Sequence, residues 1–210
     1  MNLREVRTAY DAVAVEYHHR LARELAAKPF DRDWLDAFAV MLGRGRALEV
    51  GCGDGHVAGY LSLHGVTVDG LDLAPAMIEV AQRAYPTLRF VVGDMLALPL
   101  AADAIDAIVS FYSIVNLTAA DCAVAFGEFA RVLGSGGLLI LAFHVGDERL
   151  RMERWWDTEA SLDFYLHPLE RVVAQLRQAG FEMLRTETRQ PYGEAVEAQT
   201  RRGYIIAKLP

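Results

Sequence analysis

Ala47-Leu48-Glu49-Val50-Gly51-Cys52-Gly53-Asp54-Gly55-His56 is an apolar run that breaks into a turn with glycine at every second position. A helical pattern follows, with Val57, Tyr60 and Leu61 on one side. The stretch reads as a strand entering a helix through a loop nearly free of side chains. Such a loop lets a flat ligand lie against bare backbone, with amide N–H groups facing it. Taken alone, the same residues also suit an ordinary tight turn. The next apolar run, Val66-Thr67-Val68-Asp69-Gly70-Leu71-Asp72-Leu73, adds information. It delivers Asp72 roughly 20 residues beyond the glycines, where nucleoside-binding sheets hold a carboxylate for the ribose. A carboxylate accepts from both hydroxyls of a cis-diol. Pro75 then opens a helix at a first-turn position.

Neither common phosphate-binding pattern is present. The dinucleotide fingerprint G-x-G-x-x-G requires a third glycine where this chain has His56, and its own pattern is G-x-G-x-G. The nucleotide-hydrolase loop needs a Lys-Ser/Thr pair that the chain lacks. Leu48-Glu49-Val50-Gly51-Cys52-Gly53-Asp54-Gly55 instead resembles motif I of the class I S-adenosylmethionine (SAM)-dependent methyltransferases. The resemblance implies an α/β, Rossmann-like three-layer sandwich. Its seven-stranded mixed sheet would have the order 3-2-1-4-5-7-6, the last strand antiparallel, with helices on both faces.

The chain has 210 residues, 53% hydrophobic, enough for one compact domain with its own core. The formal net charge is −7, which offers no basic stripe for a polyanion, so nucleic acid is not expected as a partner. Two cysteines, Cys52 and Cys122, point away from a secreted disulfide framework and toward a cytoplasmic protein. The first residues lack an apolar leader, and no uncharged apolar run is long enough to span a bilayer. The sequence leaves oligomeric state open.

In chain order, residues 1–42 read as a helical cap on a domain spanning 1–210. The string Tyr10-Asp11-Ala12-Val13-Ala14-Val15-Glu16-Tyr17 is similar to the opening of many small class I methyltransferases. The resemblance places Tyr17, and less directly Tyr10, near the methionine end of the cofactor. Motif I implies cofactor contacts from Glu49, Gly51, Cys52, Gly53 and Gly55. Asp72 and Leu73 follow at the end of the second strand, and Met77 in the next helix is expected against adenine. Gly93-Asp94-Met95 looks like the family's adenine-reading turn, with Asp94 accepting from the exocyclic amine. Asp94 is equally the residue type that caps a loop turn. The run 104–111 is almost wholly apolar, as a strand covered on both faces should be, and ends in Phe111, which the resemblance places with Tyr17 and Tyr112 against the cationic cofactor. The Asn/Asp-Pro-Pro-aromatic motif for base nitrogens is absent, which again argues against nucleic acid. Residues 146–167 hold Trp155, Trp156, Phe164 and Tyr165 among charges. They read either as an element packing back on the body or as a substrate lid.

Methyl transfer from a sulfonium is an in-line displacement in which alignment and water exclusion dominate. His144, at the carboxyl end of a sheet strand, is the candidate general base, with Tyr112 behind it. A histidine there also suits a purely structural hydrogen bond. His18, His19 and His64 read as surface residues, and no histidine forms a metal-ligand spacing with Cys or carboxylates. The resemblance implies SAM as cofactor and a small-molecule acceptor methylated on O or N. Two alternatives stay open: a SAM-binding protein without transfer, and a nicotinamide-dependent oxidoreductase.

Overall fold

A computed structural model describes residues 2–210. Its main sheet contains β1 (Arg46–Val50), β2 (Thr67–Asp72), β3 (Arg89–Val92), β4 (Ile105–Phe111), β5 (Leu133–Val145), β8 (Glu182–Arg189) and β9 (Arg201–Lys208). The order is β3-β2-β1-β4-β5-β9-β8. Strand β9 pairs antiparallel with both β5 and β8, while the other pairings are parallel. This is the topology expected from the sequence. Only the numbering shifts, because the small hairpin of β6 (Arg149–Met152) and β7 (Leu162–Tyr165) precedes the last two strands.

The strands are apolar because both faces are covered. One face packs on Trp34, Phe38 and Leu61 from α2 (Pro29–Leu42) and α3 (His56–Leu63). The other packs on Phe126, Phe129 and Leu176 from α5 (Ala119–Val132) and α6 (Leu169–Gln178). Helix α1 (Leu3–Leu21) crosses α4 (Pro75–Ala84) above the strand ends, buried through Ala9, Val13 and Ala14. Asp11 fixes that crossing by accepting the Ala76 N–H at 2.9 Å in the first turn of α4. Helix α1 ends at Leu21, and a 3-10 turn, Glu24–Ala27, follows it, carrying Glu24 and leading to Lys28.

Residues 146–167 form the β6–β7 hairpin and its connection, lying over α1. Asn116 Nδ2 donates to the Asp163 carbonyl at 2.9 Å, and Arg151 pairs with Glu5 at 2.8 Å. Trp155 is buried edge-on against Tyr10, with ring centroids 5.0 Å apart. Among the described residues, no helix is long and apolar enough to cross a membrane.

Candidate active site

Parallel register brings the functional chain ends to one edge of the sheet. Val50 of β1 pairs with Leu71 of β2, and Leu48 with Ile108 of β4. The glycine loop, Asp72 and Phe111 therefore emerge side by side, where open α/β sheets bind ligands. A cleft opens there, lined by Tyr10, Tyr17, Asp72, Asp94 and Gly51–Gly53, among others.

The loop amides do not face the cleft as the sequence suggested. The Gly51 and Cys52 N–H groups donate to the Leu71 carbonyl at 2.7 and 3.0 Å. Gly53 donates to Asp72 Oδ2 at 2.8 Å, and Gly55 to the Cys52 carbonyl at 2.9 Å. The loop is thus a self-satisfied backbone platform rather than a phosphate cradle. Gly51 has φ +68°, and a Cβ there would lie 2.4 Å from Ser113 Cβ, so a side chain would collide with the wall.

Asp72 is held from both sides. Its Oδ2 accepts from Gly53 and its Oδ1 from the Ala74 N–H, each at 2.8 Å. About half of a carboxylate's acceptor positions remain after those two bonds. Burial raises its pKa, against the pull of the Ala74, Gly53 and Leu73 amides. Glu49 is 2% exposed and accepts the Ala58 N–H at 2.8 Å, capping the first turn of α3. Burial pushes its carboxyl up to about 8. Asp94 turns its Oδ1 onto the Leu96 N–H at 2.9 Å, so it both caps its turn and lines the cleft.

Cys52, Leu73, Met95 and Phe111 also line the cleft. Met77 does not: it is fully buried among Ala9, Val13 and Ala74, because the α1–α4 crossing needs an apolar filler there. Gly55 acts in packing, since a Cβ would meet the Phe90 ring at 2.7 Å.

A second cavity adjoins the first and shares Tyr10, Tyr17 and Tyr112 in its wall. Its upper part is apolar, with Leu21, Met152, Trp155, Trp156 and Phe164. Its floor is polar, with Glu24, Lys28, His144, Glu197, Thr200 and Arg202. His144 therefore belongs to this cavity rather than to the cleft. Its Nδ1 lies 2.6 Å from Thr200 Oγ1. Burial, then the Arg202 and Lys28 cations, pull its pKa down to about 3, which makes the imidazole neutral but a poor proton acceptor at pH 7. The Tyr112 hydroxyl points elsewhere than a base would. It donates to Asp31 Oδ1 at 2.8 Å and lies 2.7 Å from the Tyr204 hydroxyl, on a residue with φ 57°. Burial drives its pKa far above the ordinary phenol value.

The sequence reading missed a buried ionic chain joining the two cavities. His18 reaches Asp54 at 2.8 Å, so it is more than a surface residue. His56 bridges Asp54 at 2.7 Å and Glu24 at 3.3 Å. Against the cost of burial, those two carboxylates raise the His56 pKa to about 10. Glu24 passes the chain to Lys28 at 2.7 Å, and Glu197 collects Arg189, Arg202 and Lys28. The signal available in advance was the i, i+4 spacing of Glu24 and Lys28. The distant members are joined only by the fold.

A model described as a methyltransferase domain matches residues 48–141. The demethylmenaquinone methyltransferase of Beutenbergia cavernae is 30% identical over 183 residues, covering 83% of this chain and 72% of that protein. The phthiotriol/phenolphthiotriol dimycocerosates methyltransferase of Mycobacterium leprae is 40% identical over 114 residues, or 50% of this chain and 40% of the relative. A solved SAM-dependent methyltransferase from Methanosarcina mazei superposes with TM-score 0.70 at 18% identity, covering 79% of this chain and 92% of that one. With motif I forming the floor of a cleft that Asp72 borders, these matches identify the chain as a member of the class I SAM-dependent methyltransferase family.

Proposed function

We propose that the chain transfers the methyl group of SAM to a small-molecule acceptor, methylated on O or N, seated in the second cavity. The observation that carries this reading is the common wall. Tyr10, Tyr17 and Tyr112 stand between the cleft bordered by Asp72 and a larger, mostly apolar chamber. A methyl donor in one would face an acceptor in the other.

The cleft suits the cofactor in its donor set. Asp72 is oriented by two amides with acceptor capacity left for a ribose diol. Tyr10, Tyr17 and Phe111 present aromatic surface to a cation, worth about 0.5–2 kcal/mol per ring. The Gly51, Cys52, Gly53 and Gly55 amides are already used within the protein, which disfavours a pyrophosphate and hence a nicotinamide dinucleotide. When bound, SAM supplies an electrophilic methyl carbon. The acceptor heteroatom would take that methyl with loss of its proton to water, or as an already deprotonated oxygen, and S-adenosylhomocysteine would be the leaving product.

The protein's own contribution is alignment and dryness. Orientation of two bound reactants offers roughly 7–11 kcal/mol. Residues 146–167 act as a lid whose Trp155 and Trp156 roof the chamber and exclude water. His144 serves as a neutral hydrogen-bonding group on the chamber floor. Isothermal titration with S-adenosylhomocysteine, then an acceptor screen with methyl-labelled SAM, tests the assignment. Micromolar cofactor binding with label transfer supports it. Binding without transfer to any acceptor favours a non-methylating relative, and absence of binding refutes both.

A further inference from the structure

The floor of the second cavity has an unmet demand for a hydrogen-bond acceptor. Arg202 lines that cavity, is 2% exposed, and uses its two terminal nitrogens fully within the protein. Nη1 donates to the Thr200 carbonyl and hydroxyl, and Nη2 to the Ala198 carbonyl at 2.9 Å and toward Glu197 at 3.2 Å. Its Nε is buried with no partner. The neighbouring carboxylates have no matching need. Glu24 receives Lys28 on one oxygen and faces His56 with the other. Glu197 takes the Tyr192 N–H and Arg189 on Oε1, and Arg189 with Arg202 on Oε2. Both carboxylates are occupied by Lys28, His56, Arg189 and Arg202, and among these cations the enclosed Arg202 Nε–H is the donor left without an acceptor.

A second cation shares a partner with the first: Lys28 Nζ and Arg202 Nη2 approach Glu197 Oε2 at 3.7 and 3.2 Å. Lys28 Nζ lies 5.5 Å from the Tyr112 ring centre and the Arg202 guanidinium 5.6 Å from the same ring. His144 beside them is neutral and adds a polar ring without competing charge. Above this floor the cavity wall is aromatic, with Trp155 and Trp156 rings 5.3 Å apart.

We propose that Arg202 and Lys28 form an anion subsite that receives a monoanionic oxygen group of the acceptor, a carboxylate or a phenolate, while its flat apolar body lies against Trp155, Trp156 and Phe164. The inference rests on the methyl-transfer reading only in taking the occupant to be the methyl acceptor. Arg202 and Lys28 are then specificity-determining residues. The guanidinium edge carrying Nε supplies direction, and the lysine supplies charge.

The test is calorimetric, on the full chain saturated with S-adenosylhomocysteine. Two matched probe pairs are titrated: 2-naphthoate against 2-naphthamide, and 4-nitrophenolate against 4-nitroanisole. At least one anion is expected to bind about tenfold or more tighter than its neutral partner, as a charge-assisted hydrogen bond would give. The pair that shows the preference tells carboxylate from phenolate. Arg202→Lys keeps the charge but removes the Nε donor, and Lys28→Met removes the second cation. Each is expected to reduce the preference severalfold without changing S-adenosylhomocysteine affinity. Equal binding within both pairs, no binding of any probe, or an undiminished preference in both folded variants overturns the subsite. If neither variant folds, the wild-type ratios decide alone. The same probe pairs are also titrated without S-adenosylhomocysteine: an anion preference there, alongside failure of the cofactor to bind, sinks the methyl-transfer reading and not the subsite.

Discussion

Asp72→Asn isolates the group on which cofactor recognition is proposed to rest. In the wild type each carboxylate oxygen already accepts one backbone N–H at 2.8 Å, from Gly53 and from Ala74. Asparagine preserves shape but has one oxygen, so its NH2 must face one of those amides. The unsatisfied pair costs about 1–3 kcal/mol of stability, which a denaturation curve measures. The binding term is separate. Ribose hydroxyls donating into the carboxylate contribute about 1.5–3 kcal/mol, or roughly ten- to a hundredfold in Kd. Comparing S-adenosylhomocysteine with its 2′-deoxy analogue in both proteins removes the stability term. The wild type is expected to prefer the ribose form by about tenfold, the scale of one such bond. In Asp72→Asn that preference collapses toward unity. If the variant binds both ligands more weakly by one common factor and keeps the wild-type preference, Asp72 shapes the loop but does not hold the sugar.

Glu49 is held at about 8 in the fold against 4.5 when free. Its contribution to stability is therefore complete below pH 4.5 and is lost as pH rises to about 8, since the folded protein retains a proton that the unfolded chain gives up. Glu49→Gln keeps an oxygen for the Ala58 N–H and should flatten the fall in denaturation free energy between pH 5 and 8; parallel curves would contradict that assignment. Gly51→Ala combines a left-handed backbone with a Cβ 2.4 Å from Ser113, so it should cost at least about 1–2 kcal/mol and abolish cofactor binding, checked by thermal melting and titration. His144, with its pKa at about 3, should show ring-proton NMR shifts that do not move between pH 5 and 8; a midpoint near 6.5 would restore it as a general base.

The fold was readable because its signals are local. Strand β4 is a run of buried residues broken only by Asp106, and α5 carries a Thr118–Asp121 capping box before its apolar face. Those patterns need no distant partner to be interpreted. The cleft was readable in part for the same reason: Gly51, Gly53 and Asp72 come from one β-α-β unit. Met77 lies in the α1–α4 contact rather than on the cleft because an apolar first-turn residue faces either ligand or core depending on how α1 crosses α4, a crossing the Asp11–Ala76 bond helps to fix. The surroundings of His144 were not legible in the sequence, because its pKa is lowered by burial and then by Arg202 and Lys28, which lie 58 positions later and 116 earlier in the chain. No spacing rule connects them.

The antiparallel last strand explains how those remote residues meet. In the β5–β9 register, His144 pairs with Arg202 and Ala142 with Tyr204. Arg202 and Tyr204 are two apart and share a face, the one covered by α2 and its leading turn. There Tyr204 reaches Asp31 at 3.1 Å and stacks near Phe30 and Trp34, and Arg202 shares Glu197 with Lys28. A parallel strand in the same slot would reverse the residues offered along that edge and carry Arg202 away from the carboxyl end. The glycine loop and Asp72 come from the parallel half of the sheet. The polar floor of the chamber comes from the one reversed strand meeting the N-terminal cap. On this division, changes in β9 and residues 21–31 should alter which acceptor binds, while changes in β1, β2 and their loops alter the cofactor. A β9 substitution such as Arg202→Lys that shifted S-adenosylhomocysteine affinity more than acceptor preference would show that the two halves are not separable.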